Sequence, residues 1–267
     1  MPKISPLSVI DPKAQLAEDV EVGPFCTIGP DVVVGAGNRL ISHVVLTGHT
    51  TVGRGNTFHP HSVIGNYPQD LKYRGAPTKL EIGDNNQVRE AVTIHTGTEK
   101  GGGLTRVGSN NLLMVNAHIG HDVHLGNRCI IANNVMFAGH VICGDNVAIM
   151  GGVGIHHFVT IGDYAYIAGY ARIHHDIPPF VKVGDADKIR ALNAVGLRRA
   201  GFLEADIEAL EQAIRRLFVN KEKPFSVTLT EFDLQNGINP HVKKMVEFLR
   251  RRDCGVNGRY LESLRAK

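Results

Sequence analysis

Residues 107–177 read VGSNNLLMVNAHIGHDVHLGNRCIIANNVMFAGHVICGDNVAIMGGVGIHHFVTIGDYAYIAGYARIHHDI. Every sixth residue from Val107 is apolar or cysteine: Leu113, Ile119, Leu125, Ile131, Phe137, Cys143, Ile149, Ile155, Ile161, Ile167 and Ile173. A period of six suits neither the 3.6-residue helix nor simple strand alternation. It suits short strands joined by tight corners, each hexad forming one face of a parallel β-coil. Three hexads close one triangular turn, so residues 18 apart stack in adjacent layers at about 4.8 Å, the ordinary inter-strand distance. The repeated apolar residue then points to the axis and builds ladders.

The same period runs upstream in a frame displaced by one. It starts at Ile4 and passes through Ile10, Leu16, Val22, Ile28, Val34, Leu40, Leu46, Val52, Phe58 and Ile64, resuming at Ile82, Val88 and Ile94. Glycine often follows directly, as at Gly23, Gly29, Gly35, Gly53 and Gly65, where it would relieve crowding at a corner. Two segments leave the coil, near 66–80 (NYPQDLKYRGAPTKL) and 96–106 (TGTEKGGGLTR). Long loops on a rigid scaffold often carry function. The pattern stops at Pro178-Pro179. Beyond it, Ile207, Leu210, Ile214 and Leu217 recur at helical spacing, and Asn239-Pro240 reads as a helix start whose apolar face is Val242, Met245, Phe248 and Leu249. The predicted organisation is a repeat coil over 1–180 and a helical domain over 181–267 that covers the open end of the coil.

Composition narrows the functions. A net charge of +3 over 267 residues gives no case for nucleic acid. No apolar run approaches the roughly 18 residues of a membrane span, and the N-terminus has no signal-peptide core, so a cytoplasmic protein is expected. Cys26, Cys129, Cys143 and Cys254 form no CxxC pair and read as small buried hydrophobes in a reducing compartment.

Several of the 14 histidines fall together in Asn116-Ala-His118-Ile-Gly-His121-Asp122, with His140, His156 and His157 following. Stacking by 18 puts His121, Gly139 and His157 in one column and Asp122, His140 and Phe158 in the next. A histidine, a carboxylate and a glycine amide on one corner are the inventory of a general-base acyl transfer. Imidazole can take a hydroxyl proton, a carboxylate can hold the ring, and a backbone N–H can meet a developing oxyanion. Two other readings stand beside it. Outward histidines can merely decorate a scaffold, or His118, His121 and His140 can ligate zinc in a carbonic-anhydrase-like hydratase.

The segments GNYPQDLKY (65–73), VREAVTIHTGT (88–98), NLLMVNAHIGHD (111–122), NRCIIANN (127–134) and AGHV (138–141) resemble the UDP-N-acetylglucosamine 3-O-acyltransferase family. The resemblance covers the coil almost end to end and reaches Gly201-Phe202. It implies a left-handed parallel β-helix of hexapeptide repeats, a homotrimer with active sites between coils, and no metal or organic cofactor. It implies transfer of a (R)-3-hydroxyacyl chain from acyl carrier protein to the 3-hydroxyl of UDP-N-acetylglucosamine, the first step of lipid A biosynthesis. In that reading His121 is the base, Asp122 supports it and Gly139 donates to the oxyanion. Gln69, Asp70, Lys72, His118, His140, His156 and His157 contact substrate, Gly169 sets acyl length, and Asn193, Arg198 and Arg199 lie near the nucleotide. Arg172, Arg198 and Arg199 are candidates to face the acidic carrier. The chain departs from the family pattern at Val195, Ala200 and His157, so a 3-amino sugar acceptor, giving an amide, stays open. The hexads begin at Ile4, so no extra N-terminal uridine-binding domain is expected.

Overall fold

The computed structural model describes residues 2–220 and 222–265. Strands of mostly two residues alternate with tight corners and assemble into three sheets of 11, 9 and 8 strands, in which each strand up to Ile173 pairs in parallel with strands three places away in the chain or, at the last turn, with the next strand beyond Ile173. This is a triangular β-helix. Its first layers show the expected step: Lys3 pairs with Glu21 and Ile4 with Val22. The inward residues of all three sheets form ladders, one of which stacks Leu40, Phe58, Val88, Leu113, Ile131 and Ile149. All six are at most 1% exposed.

The two loops account for the frame. Across the first, Asn86 sits 30 residues from Asn56 instead of 18, an excess of two whole hexads, so the frame survives. Across the second, Asn111 follows Asn86 by 25, an excess of one hexad plus one residue, and the frame shifts by one. Both loops are shorter than their sequence bounds. Lys79–Ile82 and Leu104–Val107 pair with each other along four residues, because Leu80 and Thr105 still point inward and are buried.

The glycines after the inward residue answer to layer spacing. A Cβ on Gly23 would stand 1.8 Å from the Ile41 carbonyl oxygen of the next layer. The opposite corners use left-handed backbone without glycine: Asn116, Asp122, Asn134 and His140 have φ between 59° and 63°. Short polar side chains tolerate that region best.

One corner carries a feature that the period did not reveal. Asn38, Asn56, Asn86 and Asn111 are buried one above another. The Asn56 N–H and amide donate to Asn38 Oδ1 at 2.9 and 3.0 Å, and those of Asn86 donate to Asn56 Oδ1 at 2.8 and 2.9 Å. The ladder ends where Cys129 N–H donates to Asn111 Oδ1 at 2.7 Å. These side chains serve corner N–H groups that no strand partner reaches.

The sheet surface continues past Phe180: Val181–Val183 joins the largest sheet, and Ile189–Leu192 closes its edge antiparallel. Helices follow as α1 (Ala194–Arg199), α2 (Glu204–Ile214), α3 (Phe225–Asp233), α4 (Pro240–Asp253) and α5 (Tyr260–Ser263). Asn239 caps α4, accepting from His241 and Val242 N–H, with Pro240 in the first turn. Val242, Met245, Phe248 and Leu249 are buried as their spacing predicts, as are Ile207, Leu210, Ile214 and Leu217. The helices pack on the last turns of the coil through Phe180, Phe202 and His241 and through an ion pair of Lys244 with Asp163.

Replacing Asn56 by leucine removes an acceptor and a donor from the buried ladder, leaves the Asn86 N–H without a partner and leaves the Asn86 amide with the Gly108 carbonyl alone. Each unsatisfied buried group costs about 1–3 kcal/mol. Scanning calorimetry of Asn56→Leu should show a clearly lower melting temperature, and an unchanged one would show that the ladder contributes nothing.

Candidate active site

Asp122 is the fixed point of the site. It occupies a left-handed corner with φ 59°, and its side chain is only 2% exposed. Its own N–H donates to Thr105 Oγ1 at 2.8 Å. The carboxylate accepts from the Thr98 N–H at 2.8 Å, the Thr98 hydroxyl at 2.6 Å and the His121 Nδ1–H at 2.8 Å. Burial pushes this carboxyl upward, but the hydrogen bonds from His121 and Thr98 outweigh it and hold it below the usual carboxylate range. With Nδ1 held, the His121 ring can offer only Nε2 to a ligand.

Gly139 lies one layer above. A Cβ there would meet the His121 ring at 2.4–2.6 Å, so only glycine lets the imidazole sit where it does. Gly139 lines the pocket, and among the described residues its N–H donates no hydrogen bond. His140 completes the corner. Its Nδ1 lies 3.7 Å from Asp122, its ring meets His121 edge-on at 5.1 Å, and it stacks on Phe158 at 4.4 Å.

The cleft has two adjoining parts that share Gln69, His118 and Ala138. The inner part, about 400 Å³, holds His121, Gly139, His140, His157, Phe158 and Arg265. The outer part, about 650 Å³, runs along one sheet face and adds Met136, Ile155, His156, Arg172 and His174. Alternation of strand side chains produces this surface: Thr93, His118, Met136, Gly154 and Arg172 are register partners in successive layers, all facing outward.

Burial pushes His118 down to about 4, assisted by His95 and His121, and its Nδ1 bonds the Thr93 hydroxyl at 2.8 Å. His140 and His157 are also pushed down, chiefly by burial. The cleft is thus lined with neutral imidazole at these positions near neutral pH.

The sequence-predicted residues divide. His118, His121, Gly139, His140, His156, His157 and Gln69 meet in the cleft, with Asp122 bonded behind them. Asp70 and Lys72 stand in the exposed first loop, joined by a bond from Lys72 N–H to Asp70 Oδ1 at 2.9 Å, and line neither part. Gly169 lies at the other end of the sheet face, beside the Gly151 carbonyl. Asn193 does not line the cleft. Its side chain caps α1 and donates to the Tyr164 carbonyl at 2.9 Å, because a helix start needs that acceptor. Arg198 is bound to Glu204 at 2.8 Å, and neither it nor the exposed Arg199 lines the cleft. Thr93, Thr98 and Arg265 join the site without any signal in the hexads.

A metal reading finds three ligand atoms, from His121, Asp122 and His140, within 4.8 Å of one another. The donor set does not favour it. The carboxylate is committed to His121 and Thr98, and the expected third histidine, His118, is turned to Thr93.

The profile described as Udp N-acetylglucosamine O-acyltransferase, Domain 2, matches residues 176–257, and that of the bacterial transferase hexapeptide (six repeats) matches 104–139 and 140–175. An acyl-[acyl-carrier-protein]--UDP-N-acetylglucosamine O-acyltransferase of Thermodesulfovibrio yellowstonii is 44% identical over 222 residues, 83% of this chain and 86% of the relative. The UDP-N-acetylglucosamine acyltransferase of Bacteroides fragilis superposes with a TM-score of 0.88 at 40% identity, covering 92% of this chain and 96% of the other. That of Arabidopsis does so with a TM-score of 0.83 at 34% identity, covering 92% and 96%. Among the described residues no helix is long and apolar enough to cross a membrane.

The His118 burial carries a pH signature. Its folded pKa, about 4, lies below the ordinary 6.5, so between those values the unfolded chain binds a proton that the folded one refuses. Stability therefore falls as pH drops through this window. His118→Gln should flatten that part of the melting-temperature profile, and an unaltered slope would contradict the assignment.

Proposed function

The chain belongs to the UDP-N-acetylglucosamine O-acyltransferase family, and from that membership we propose that it acylates the 3-hydroxyl of UDP-N-acetylglucosamine with a (R)-3-hydroxyacyl group from acyl carrier protein. This is the first acylation of lipid A biosynthesis, carried out in the cytoplasm. The observation that carries the reading is the His121–Asp122 bond of 2.8 Å, set beside the Gly139 amide at the head of the cleft.

The reaction proceeds by one proton relay. His121 Nε2 takes the proton of the sugar hydroxyl as its oxygen attacks the thioester carbonyl carbon. Asp122 stabilises the resulting imidazolium, which costs no reorganisation because the carboxylate is already fixed by Thr98. The Gly139 N–H donates to the tetrahedral oxyanion. Collapse breaks the carbon–sulfur bond, forms the ester, and returns the proton from His121 to the carrier thiolate. His118, His140, His156, His157 and Gln69 line the substrate path. A hydroxyl acceptor suits a base whose other nitrogen is held by a carboxylate.

The active unit in this reading is a homotrimer. Tyr67 and Leu71 in the first loop are 67% and 97% exposed, and Asp70 and Lys72 do not line the chain's own cleft. A loop of this kind completes the cleft of a neighbouring copy, bringing Asp70 and Lys72 to the sugar nucleotide there. Gly169, and the exposed Arg199, would likewise act across that interface. Arg172, in the outer cleft, suits the acidic carrier.

His121→Ala should lower kcat by about 10²–10⁴, the usual share of a positioned general base, with the melting temperature kept. Unimpaired turnover in that variant would remove the base assignment. Gly169→Met should shift preference toward shorter acyl chains when carrier proteins of graded chain length compete. An unchanged chain-length profile would refute the ruler role.

A further inference from the structure

We propose that Arg265 is the phosphate-anchoring residue of the inner cleft, a positioning role that rests on the acyl-transfer reading for the identity of its ligand. Both substrates of that reaction carry phosphate, the nucleotide sugar as a diphosphate and the carrier's prosthetic arm as a phosphodiester. Among the described residues, the inner cleft that must admit them is lined by Gln69, alanine, glycine, phenylalanine, four histidines and a single permanent cation, Arg265. Three of those histidines, His118, His140 and His157, are pushed toward the neutral form by burial.

Arg265 is brought there by a built connection. The C-terminal segment is tied to the coil by the buried Arg259, which donates to the His174 carbonyl at 2.7 Å, and by Tyr260 N–H, which donates to Asp176 Oδ2 at 2.8 Å. Arg259 pairs with Glu262 at 2.8 Å, and Glu262 in turn pairs with Arg265 at 3.0 Å. The guanidinium lies over the Phe158 ring, 4.7 Å from its centroid, and Phe158 is the ring on which His140 stacks.

That arrangement positions the group but uses one of its N–H donors. Among the described residues the others have no partner. A planar guanidinium seated over an aromatic ring, with N–H donors left over in a cleft, matches a phosphate in two-point contact. A merely structural arginine would spend its donors on the protein.

The test compares the full-length protein with Arg265→Gln and Arg265→Lys. Binding of UDP-N-acetylglucosamine and of 4′-phosphopantetheine is measured separately by calorimetry, alongside steady-state kinetics with each substrate varied. The expected result for Arg265→Gln is a loss of affinity of about tenfold or more for one probe, with a matching rise in the corresponding KM and little change in kcat. Lysine should recover part of the loss, since it keeps the charge and loses the fork. Loss for the sugar nucleotide assigns the diphosphate, and loss for the pantetheine assigns the carrier arm. Unchanged binding of both probes overturns the proposal, as does a fall in kcat alone, which would mean that the residue only props Phe158 and His140. Arginine-dependent binding without ester formation by the parent protein would sink the acyl-transfer reading and leave the anchor standing.

Discussion

Each layer of the coil holds the next by parallel backbone hydrogen bonds, such as Lys3 N–H to Val20 carbonyl and Val9 N–H to Cys26 carbonyl, both at 2.9 Å. Those bonds form only if the corner geometry repeats, and the repeat allows only six residues per face. Every other property follows from that register. It stacks the inward residues into buried ladders, forces glycine where a neighbouring carbonyl comes within 1.8 Å of a Cβ position, and fixes which outward side chains meet. A one-residue slip would turn an inward isoleucine to solvent and an outward histidine to the axis. The coil tolerates insertion only by ejecting the surplus as a loop, and both loops do this while the strands on either side keep their pairing.

The site is built on the same register. Asp122 could not receive His121, adjacent to it in sequence, on an extended strand, because successive side chains there point to opposite faces. The left-handed corner turns the carboxylate alongside the ring, and the second loop returns Thr98 to its far side. The loop that displaces the hexad frame is thus the one that supplies the second donor to the Asp122 carboxylate. Rigidity arises from the layers and the particular chemistry from one departure from them.

Legibility of the site in the sequence tracks this division. Where layers step by 18, counting placed His121 over Gly139 and Asp122 over His140 and Phe158, and the geometry agrees. Thr98 lies across the 25-residue step, so no count could reach it. The asparagine ladder was equally hidden. Its members stand two residues before the inward position, where other layers use Val20, Cys129 and Val147, so the column carries no single residue type. In the tail, apolar spacing revealed α2 and α4 but not α3. The α3 sequence FSVTLTEFD is rich in β-branched residues and buries Thr228, Leu229 and Phe232 only because α4 and the turn after α2 provide a surface. Asn193 shows a related overlap: a residue type suited to contacting a nucleotide is also the type that caps a helix.

Electrostatics explains why a histidine-rich cleft still calls on arginine. Imidazole serves as a base only if it is neutral at rest, and burial enforces that at His118, His140 and His157. The same burial removes these residues as anion binders, since a neutral ring holds no charge to offer a phosphate. A cleft that handles phosphorylated substrates therefore needs its fixed positive charge from a group that burial does not neutralise, which among side chains is arginine. Among the described residues the two parts of the cleft each contain one, Arg172 in the outer and Arg265 in the inner. Arg172 is carried by a coil strand and was within reach of the period. Arg265 is delivered by a segment beyond the helices, held by Arg259 and Glu262. The tail is then more than a cover for the last layers, because it returns a charge to a corner whose own residues are selected to have little.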